Sequence, residues 1–208
     1  MTTKEEMIED QLKRRGIHDP AVLRAMWDVD RTLFVPEEMN PHAYEDRPLP
    51  IGKDQTISQP YIVAYMAQEL RLKAGDTVLE IGAGCGYNAA ILSRIASKVY
   101  SIEIIEWLAE LASENLRNAG VENATTRFGD GYQGWQEKAP FDGITLTAAP
   151  PYIPEPLKQQ LKIGGRMLAP VGIRSQKLVL LEKTEEEKFR EKQLLLVSFV
   201  PMTGKAQQ

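Results

Sequence analysis

One short segment of the chain combines an acidic residue with closely spaced glycines. Residues 78–86 read VLEIGAGCG, an apolar run that predicts a buried strand, and a helical pattern follows. Glycine permits positive φ and lacks the Cβ atom that would collide with a ligand lying against the backbone. In open α/β sheets, a cofactor binds over such a loop, at the carboxyl end of the first strand. The segment therefore predicts a cofactor-binding loop formed by Gly82, Ala83, Gly84 and Gly86, beside the carboxylate of Glu80.

The glycine spacing separates two classes of cofactor. A dinucleotide-binding loop places its third glycine three residues after the second, and Tyr87 occupies that position here. The observed spacing is Gly-x-Gly-x-Gly, with Glu80 two residues before the first glycine, and this carboxylate would repel a pyrophosphate. The loop resembles that of S-adenosylmethionine methyltransferases, in which an acidic side chain can meet a cationic amino acid group. The resemblance implies S-adenosyl-L-methionine as cofactor and S-adenosyl-L-homocysteine as product.

Two more acidic residues follow the next two predicted strands. Glu103 comes after the strand at 99–102, where its carboxylate can accept both hydroxyls of a ribose. Asp130 stands between glycines after the third strand and can accept a hydrogen bond from an adenine amino group, with Gly131 leaving room for the ring. Thr147 ends the fourth strand. Since the carboxyl ends of parallel strands share one edge of a sheet, we expect these residues to surround one ribose-bearing cofactor.

The elements that must position these residues alternate along the second half of the chain. Short apolar runs separated by helical stretches predict parallel strands joined by right-handed crossovers. The pattern predicts an α/β fold with a doubly wound, mostly parallel, Rossmann-like sheet. The predicted strands are 77–81, 99–102, 124–128, 141–146 and 166–169, and the predicted helices are 88–96, 107–119 and 156–161.

The two ends of the chain add different elements. Helical spacing over residues 3–15, and a cap followed by proline at Asp19-Pro20, predict N-terminal helices, the second reaching residue 27. Five prolines between residues 34 and 60 exclude long helices there and predict an ordered loop, before a helix at 61–70. Residues 177–182 and 193–200 flank a charged run and predict an antiparallel hairpin. We expect one domain over 1–208, with a helical and substrate-loop region at 1–70 and a cofactor-binding core at 71–208.

Composition limits the partners and the location of the protein. The 208 residues carry a net charge of -4, and the longest basic cluster is Lys13-Arg14-Arg15, so we expect no nucleic-acid partner. No apolar run approaches the roughly 20 residues of a membrane helix, and the first ten residues are acidic and polar, unlike a signal peptide. We therefore expect a cytoplasmic protein without membrane attachment. With one cysteine, Cys85, and two histidines in no ligand spacing, we expect no disulfide within the chain and no metal.

A second motif lies upstream of the glycine loop. Residues 55–60 read QTISQP, directly before a helix, and resemble the signature segment of the protein-L-isoaspartate (D-aspartate) O-methyltransferase family. The similarity continues in order and spacing over roughly residues 31 to 204. It includes Arg31 with Phe34-Val35-Pro36, Ala43-Tyr44 with Asp46, LPIG at 49–52, residues 80–88, GDG at 129–131, PFD at 140–142, GGR at 164–166, PVG at 170–172 and FVP at 199–201.

This resemblance implies a specific reaction. Members of the family transfer a methyl group to the α-carboxylate of L-isoaspartyl residues in damaged proteins and peptides, and less readily to D-aspartyl residues. The ester then cyclises to a succinimide without the enzyme, and hydrolysis of that ring returns some normal aspartyl linkage. The resemblance therefore implies a carboxyl methyltransferase that initiates protein repair, whose partners are proteins and peptides containing isoaspartyl residues. We expect it to act as a monomer.

The chemistry requires positioning more than proton transfer. A carboxylate is ionised at neutral pH, so the attacking oxygen needs no general base. Ser58 is the candidate catalytic residue, because its hydroxyl can hold the acceptor carboxylate by a hydrogen bond. No Gly-x-Ser-x-Gly motif surrounds it, so a covalent role is not expected, although Ser58 could instead only cap the following helix. Thr56, Ile57 and Gln59 are expected to shape the same substrate surface, and the loop at 48–60 is a candidate wall or lid that excludes water.

Two positions depart from the family pattern, and two other functions stay open. Asp54 stands where glycine is usual, and Cys85 stands where serine or threonine is commoner. The glycine loop alone would also suit a small-molecule or nucleic-acid methyltransferase, or a binding domain that retains only the fold. The QTISQP segment argues against the first alternative, and the three intact carboxylates argue against the second. Comparing an isoaspartyl peptide with its normal aspartyl counterpart as methyl acceptor would separate all three.

Overall fold

The computed structural model describes residues 1–207 and contains a seven-stranded sheet with helices on both faces and a separate two-stranded hairpin. The strands are β1 (Leu49–Gly52), β2 (Gln55–Ile57), β3 (Thr77–Ile81), β4 (Lys98–Glu103), β5 (Ala124–Phe128), β6 (Phe141–Leu146), β7 (Leu161–Val171), β8 (Gln176–Glu185) and β9 (Lys188–Val197). The α-helices are α1 (Lys4–Glu6), α2 (Pro20–Asp28), α3 (Pro60–Leu70), α4 (Tyr87–Ser93), α5 (Glu106–Asn118) and α6 (Glu155–Gln159).

The large sheet has the order β5-β4-β3-β6-β7-β8-β9. All neighbours from β5 to β7 run parallel, whereas β8 and β9 form an antiparallel hairpin that continues the sheet beyond β7. The predicted doubly wound, mostly parallel fold with its C-terminal hairpin is thereby confirmed. The strand order reverses between β3 and β6, and the crevice at such a reversal is where open α/β sheets bind ligands.

Alternating side chains along β3 show how the sheet is buried on both faces. Val78 packs in a cluster with α3, α4 and the N-terminal helices, while Leu79 and Ile81 pack in a second cluster with β6 and α6. Side chains two residues apart on a strand share a face. Glu80 therefore points to the same face as Val78, toward α4, and this orientation decides its partners.

The N-terminal prediction is confirmed in type but not in regularity. After α1, residues Met7–Leu12 form a π-helix and Lys13–Arg15 a 3₁₀ turn, so the helical stretch at 3–15 changes its winding twice. The second helix begins as predicted. The Asp19 carboxylate accepts hydrogen bonds from the amides of Ala21 and Val22, and Pro20 occupies the first helical position.

Three elements differ from the sequence expectation. Strand β9 begins at Lys188 rather than at residue 193 and ends at Val197 rather than at residue 200, so the end of the charged run lies in the strand. Strand β7 begins at Leu161 rather than near residue 166, because its first half carries Lys162 and Gly164-Gly165 and its register on β6 shifts there. The proline-rich stretch forms no long helix, as expected, but it contains a 3₁₀ helix at Glu37–His42 and the hairpin of β1 and β2, which was not predicted. Strands this short give too little alternation to be recognised.

The turn of the β1–β2 hairpin explains why glycine is usual where this chain has Asp54. Lys53 and Asp54 have φ of 52° and 55°, the left-handed region that two-residue hairpin turns require and that glycine adopts most easily. Gly52, at φ 94°, places its backbone against the Trp107 ring. The turn thus rests on the start of α5 and brings β2 toward the edge of the large sheet.

Replacing Asp54 by glycine should stabilise this turn. Relief of the left-handed conformation exceeds the extra chain entropy of glycine, so Asp54→Gly is expected to raise the free energy of unfolding by about 0.5 kcal/mol. Urea unfolding measures the change. Glu187→Gly, at φ 59° in the turn between β8 and β9, is the matched control and should behave alike. A loss of stability in Asp54→Gly would mean that its carboxylate contributes more than the backbone costs.

Within residues 1–207, no helix is both long and apolar enough to cross a membrane. The same residues contain no group of three or more histidine, cysteine, aspartate or glutamate side chains that could hold a metal ion.

Candidate functional site

A cavity lies at the carboxyl ends of the parallel strands, where the strand order reverses. Its walls come from the loop after β3, the ends of β4 and β6, the β1–β2 hairpin and the C-terminal segment. Nine of the residues selected from the sequence line it, namely Gly82, Ala83, Gly84, Glu103, Gly131, Thr147, Thr56, Ile57 and Ser58. The structure therefore brings residues of the glycine loop and of the QTISQP segment to one cavity.

The glycine loop depends on its missing side chains. Gly82, Gly84 and Gly86 have φ of 96°, 55° and 89°, all in the region that favours glycine. A Cβ at Gly82 would collide with the Thr147 side chain. The Thr147 hydroxyl lies 3.0 Å from the Ile81 carbonyl oxygen and 2.5 Å from that of Gly82, and its one hydrogen is shared between these two acceptors. Thr147 thus holds the start of the loop in place while also lining the cavity.

Glu103 occupies the position expected for a ribose-binding carboxylate. It is almost fully buried at the end of β4. One carboxylate oxygen accepts from the Gly84 amide at 2.8 Å and the other from the Ile105 amide at 3.0 Å. Each oxygen can accept a further hydrogen bond. The side chain therefore fixes the middle of the glycine loop and still has acceptors available for a pair of hydroxyls.

Glu80 is placed differently from expectation, because it does not reach the cavity wall. It is fully buried behind the loop, where Oε1 accepts from Asn88 Nδ2 at 2.7 Å and Oε2 accepts from the Ser101 hydroxyl. Burial raises the pKa of Glu80 to about 7, although the hydrogen bonds from Ser101 and Asn88 lower it. Asn88, which was not selected from the sequence, lines the cavity instead. The expectation that the Glu80 carboxylate meets the cofactor directly is corrected accordingly.

Asp130 also has an unexpected partner. Its Oδ1 accepts from the Tyr132 amide and caps a 3₁₀ turn, as its position before Gly131 suggests. Its Oδ2 accepts from the Lys205 amide at 2.9 Å, which ties down the 3₁₀ helix Gly204–Gln207. Gly131 lines the cavity, whereas Asp130 lies just outside its wall. The carboxylate therefore holds the C-terminal segment, and its oxygens keep acceptor capacity beyond these bonds.

The C-terminal segment forms a wall that was not predicted. Residues 200–203 line the cavity, and the backbone of Ala149 binds the segment on both sides, donating to Val200 and accepting from Met202 at 2.8 Å each. The only signal in the sequence was the FVP match at 199–201, which carried no assigned role. A neutral, mostly apolar segment far along the chain gives no local indication that it will close a cofactor cavity.

Ser58 lies where the cavity meets a second, wider groove. Thr56, Ser58, Thr147 and Val200 line both spaces. Ile57 lines only the cavity, and Gln59 lines only the groove. Helix α3 begins with Gln59 as its N-cap residue and has no side-chain cap, and the Ser58 hydroxyl bonds no other residue in 1–207. The alternative that Ser58 only caps the helix is therefore wrong. Its hydroxyl is free to bind a ligand at the junction.

The groove itself carries no charged side chain among the described residues. Its walls beyond the shared junction are Pro48, Gln59, Ile62, Leu196, Val197, Ser198 and Phe199. The Gln59 amide donates to the Asp46 carbonyl oxygen at 3.1 Å and so anchors the loop on one side. The groove narrows to hydroxyl groups, which can donate hydrogen bonds to a carboxylate at its inner end.

Arg31 supports this junction from within the protein. Its side chain is fully buried, with Nε donating to the Ala43 carbonyl (2.7 Å) and Nη2 to the Ser58 carbonyl (2.8 Å). The guanidinium lies 4.7 Å from the centre of the Tyr87 ring, and Nη1 has no partner within residues 1–207. Burial lowers the pKa of Arg31 from its ordinary value. In the sequence, Arg31 was only part of the family match, and a lone arginine gave no sign of this contact.

The residues present fit S-adenosylmethionine. A Cβ at Gly84 would meet only Ile51, at 3.4 Å, so the loop backbone is open to the cavity. Glu103 has acceptors for a ribose, and the Asn88 amide lies beside the glycine loop. The apolar side chains of Ile102 and Ile104 provide a surface for a planar ring.

Comparison with known proteins agrees with this chemistry. The family model described as "Protein-L-isoaspartate(D-aspartate) O-methyltransferase (PCMT)" matches residues 2–207. A Syntrophobacter fumaroxidans protein named protein-L-isoaspartate O-methyltransferase 2 is 55% identical over 188 residues, which is 89% of this chain and 76% of that protein. A Picosynechococcus protein-L-isoaspartate O-methyltransferase is 48% identical over 201 residues, covering 97% of this chain and 90% of its own.

Two solved structures share nearly the whole fold. A protein-L-isoaspartate O-methyltransferase superimposes with a TM-score of 0.89 at 31% identity, over 98% of this chain and 67% of that one. A Plasmodium falciparum protein described as a beta-aspartate methyltransferase, solved in complex with S-adenosyl-L-homocysteine, gives a TM-score of 0.83 at 25% identity, over 98% and 99% of the two chains.

Proposed function

The chain belongs to the protein-L-isoaspartate (D-aspartate) O-methyltransferase family, and from this membership we propose that it methylates the α-carboxylate of L-isoaspartyl residues, and less readily of D-aspartyl residues. S-adenosyl-L-methionine is the donor and S-adenosyl-L-homocysteine the product. The substrates are damaged proteins and peptides, and the ester initiates repair through a succinimide. The observation that carries the proposal is the junction at Ser58, where a neutral groove opens into a cavity walled by the glycine loop and Glu103.

We assign the cofactor to the cavity. Glu103 accepts the ribose hydroxyls, the backbone of Gly82, Ala83 and Gly84 forms the floor, and Asp130 with Gly131 borders the adenine. Gly86, expected from the sequence in the same floor, does not line the cavity, because its backbone packs against Ala112 and Leu116 of α5. Thr147 holds the loop from the end of β6. When bound, S-adenosylmethionine supplies a methyl group on a positively charged sulfur. Glu80 belongs to the same site through its contact with Asn88.

The acceptor side works by positioning a carboxylate that is already ionised. Ser58 donates a hydrogen bond that orients the attacking oxygen, and its backbone is held by Arg31. Thr56, Ile57 and Gln59 shape the surface around it. The β2 strand of the hairpin and residues 200–203 wall the cavity, where shielding the reacting groups from water favours a step in which opposite charges cancel. No side chain has to remove a proton.

A direct assay tests the proposed substrate. Two peptides that differ only in an L-isoaspartyl or a normal aspartyl linkage are offered as methyl acceptors, with methyl incorporation measured. We expect methylation of the isoaspartyl peptide and none of its counterpart, with a D-aspartyl peptide reacting more slowly. Equal methylation of both linkages, or methylation of an RNA instead, would contradict the proposal.

Ser58→Ala should slow methyl transfer without affecting the cofactor. Loss of one hydrogen bond to a charged acceptor costs about 1.5–3 kcal/mol, so kcat/KM for the isoaspartyl peptide should fall roughly 10- to 150-fold. Calorimetry should give an unchanged affinity for S-adenosyl-L-homocysteine. Ser113→Ala is the control, since the Ser113 hydroxyl only donates to the Ala109 carbonyl within α5. Full activity in Ser58→Ala would remove Ser58 from the acceptor site.

We further propose that the protein acts in the cytoplasm as a monomer and as a single domain over 1–208. Residues 1–70 then supply the acceptor side and residues 71–208 the cofactor side. The hairpin supports this division, because it contributes β2 to the cavity while Gly52 contacts Trp107 of α5. Light scattering in solution and cell fractionation test the oligomeric state and the location.

A further inference from the structure

Asn88 stands between the buried carboxylate of Glu80 and the cofactor cavity. It lies in the first turn of α4, is half-buried, and lines the cavity. Its Nδ2 donates to Glu80 Oε1 at 2.7 Å. With the amide nitrogen facing Glu80, the amide oxygen points away from it. Within residues 1–207, no group donates to Asn88 Oδ1, and this atom is not enclosed by protein.

The carboxylate that fixes this amide is itself held rigidly. Glu80 on β3 is in register with Ser101 on β4 and with Thr145 on β6, and all three are buried. Ser101 donates to Glu80, while the Thr145 hydroxyl has no partner within the described residues. The titratable groups that act on Glu80 or respond to its charge are Glu103, at the end of β4, and Cys85, in the glycine loop.

The local field favours a cation at the Asn88 oxygen. A negative charge behind the amide N–H polarises the amide, and hydrogen bonds in such a chain strengthen one another. No lysine or arginine lines the cavity. The cavity wall therefore presents, beside the glycine loop, a hydrogen-bond acceptor of fixed orientation that is backed by a carboxylate.

We propose that Asn88 Oδ1 binds the positively charged amino group of S-adenosylmethionine, with Glu80 as the positioning residue that fixes the Asn88 amide. The inference rests on the proposed use of this cofactor. An ammonium group has three donors and no acceptor, so it complements an amide oxygen. Neither the nucleoside part of the cofactor nor the methyl acceptor takes part in this contact.

Calorimetric titration with two ligands isolates the contact. S-adenosyl-L-homocysteine has the amino acid end, and 5′-methylthioadenosine shares the nucleoside and sulfur but lacks the amino group. Asn88→Ala should weaken binding of the first by about 10- to 100-fold, the range for one hydrogen bond to a charged group. Binding of the second should stay within about twofold. Asn118→Ala, at an exposed asparagine that ends α5, is the matched control and should leave both affinities unchanged.

The outcomes separate this inference from the proposed function. If Asn88→Ala bound both ligands equally more weakly, Asn88 would only shape the loop. If it bound both as tightly as the wild type, the Asn88 oxygen would not contact the cofactor. Either result overturns the inference. A wild-type protein that fails to bind S-adenosyl-L-homocysteine would instead contradict the proposed function. Glu80→Gln gives an independent variant, because a glutamine amide can also donate and no longer dictates the orientation of Asn88. This variant should weaken the binding of S-adenosyl-L-homocysteine by several-fold or more. An affinity equal to that of the wild type would overturn the role of Glu80.

Proton release by the wild-type protein supplies a test that needs no variant. With a pKa of about 7, Glu80 is partly protonated near neutral pH, and a cation held across Asn88 lowers its pKa. Binding of S-adenosyl-L-homocysteine at pH 6.5 should therefore release a fraction of a proton, measured as a heat that depends on the ionisation enthalpy of the buffer. 5′-Methylthioadenosine should release none, because it carries no cation to lower the pKa of Glu80. Equal release by the two ligands would overturn the inference.

Discussion

Replacing Glu103 by alanine is expected to weaken the binding of S-adenosyl-L-homocysteine by about 100-fold. The side chain has two functions, because it is the candidate acceptor for the ribose hydroxyls and it also accepts from the amides of Gly84 and Ile105. Each hydrogen bond to a charged group contributes about 1.5–3 kcal/mol, and each 1.4 kcal/mol is tenfold in affinity. The loss should apply equally to 5′-methylthioadenosine, since both ligands contain the ribose. Calorimetry therefore distinguishes the two substitutions, because Glu103→Ala should weaken the binding of both ligands and Asn88→Ala only that of S-adenosyl-L-homocysteine.

Two variants control this experiment. Glu103→Gln keeps one carbonyl oxygen, so its affinity for S-adenosyl-L-homocysteine should lie between those of the wild type and Glu103→Ala. Glu106→Ala removes an exposed carboxylate at the start of α5 and should leave the affinity unchanged. Urea unfolding of Glu103→Ala reports whether the glycine loop has lost its anchor. Unchanged affinity in a folded Glu103→Ala protein would show that the ribose lies elsewhere.

The features predicted well from the sequence are those determined by neighbouring residues. The strand before the glycine loop, the position of Glu103 at the end of β4 and the Asp19-Pro20 helix start all depend on a few consecutive residues. The parallel sheet followed from strands alternating with helices. Segment boundaries were less accurate where a regular pattern is interrupted, as at Gly164-Gly165 in β7.

The partners of buried polar groups could not be read from local pattern. Glu80 is engaged by Asn88 from the next helix and by Ser101 from the next strand, so its carboxylate is withdrawn from the cavity. Asp130 bonds Lys205, which lies 75 residues away. Both residues occur where a cofactor-binding carboxylate was expected. The hydrogen-bond partners of these two carboxylates depend on how elements far apart in the sequence pack together. The spacing of residues along the chain does not contain that information.

The segment around Ser58 shows the same limit at shorter range. A serine two residues before the first residue of α3 suits either a helix cap or a ligand contact, and the sequence leaves both open. In the structure, the N-cap residue is Gln59 and no side chain caps the helix, so the Ser58 hydroxyl has no capping role. The position of Ser58 depends on the pairing of β2 with β1 and on the hydrogen bond from Arg31 to the Ser58 carbonyl. Both partners lie outside the QTISQP segment, so the segment alone does not indicate them.

Arg31→Ala is expected to lower the free energy of unfolding by about 3–5 kcal/mol, because two buried carbonyl oxygens would each lose their donor at a cost of about 1–3 kcal/mol. The guanidinium is the buried partner of the Ala43 and Ser58 carbonyl groups, and it forms no salt bridge within residues 1–207. Alanine would leave both carbonyl oxygens unpaired and a space the size of an arginine side chain beside Tyr87. At about 2–4 °C per kcal/mol for a chain of this size, Tm should fall by roughly 10 °C.

Arg15→Ala is the matched control for this prediction. Arg15 also pairs with a polar partner, Asp46, and lies over an aromatic ring, Tyr61, but its side chain is largely exposed. Surface ion pairs contribute about 0–1 kcal/mol, so its removal should change the unfolding free energy little. The contrast between the two arginines measures the effect of burial rather than of charge.

Two further substitutions decide why Arg31 matters. Arg31→Lys keeps a charge but can satisfy only one carbonyl well and loses the planar contact with Tyr87, so it should be intermediate in stability. Arg31→Met fills the space without any donor. If Arg31→Met were as stable as the wild type, the cost of desolvating the guanidinium would offset its hydrogen bonds. Arg31 would then position Ser58 without contributing to stability. In that case, Arg31→Met should still raise KM for the isoaspartyl peptide while leaving the affinity for S-adenosyl-L-homocysteine unchanged. The hydrogen bond lost at the site is the one to the Ser58 carbonyl, and methionine still fills the space beside the Tyr87 ring.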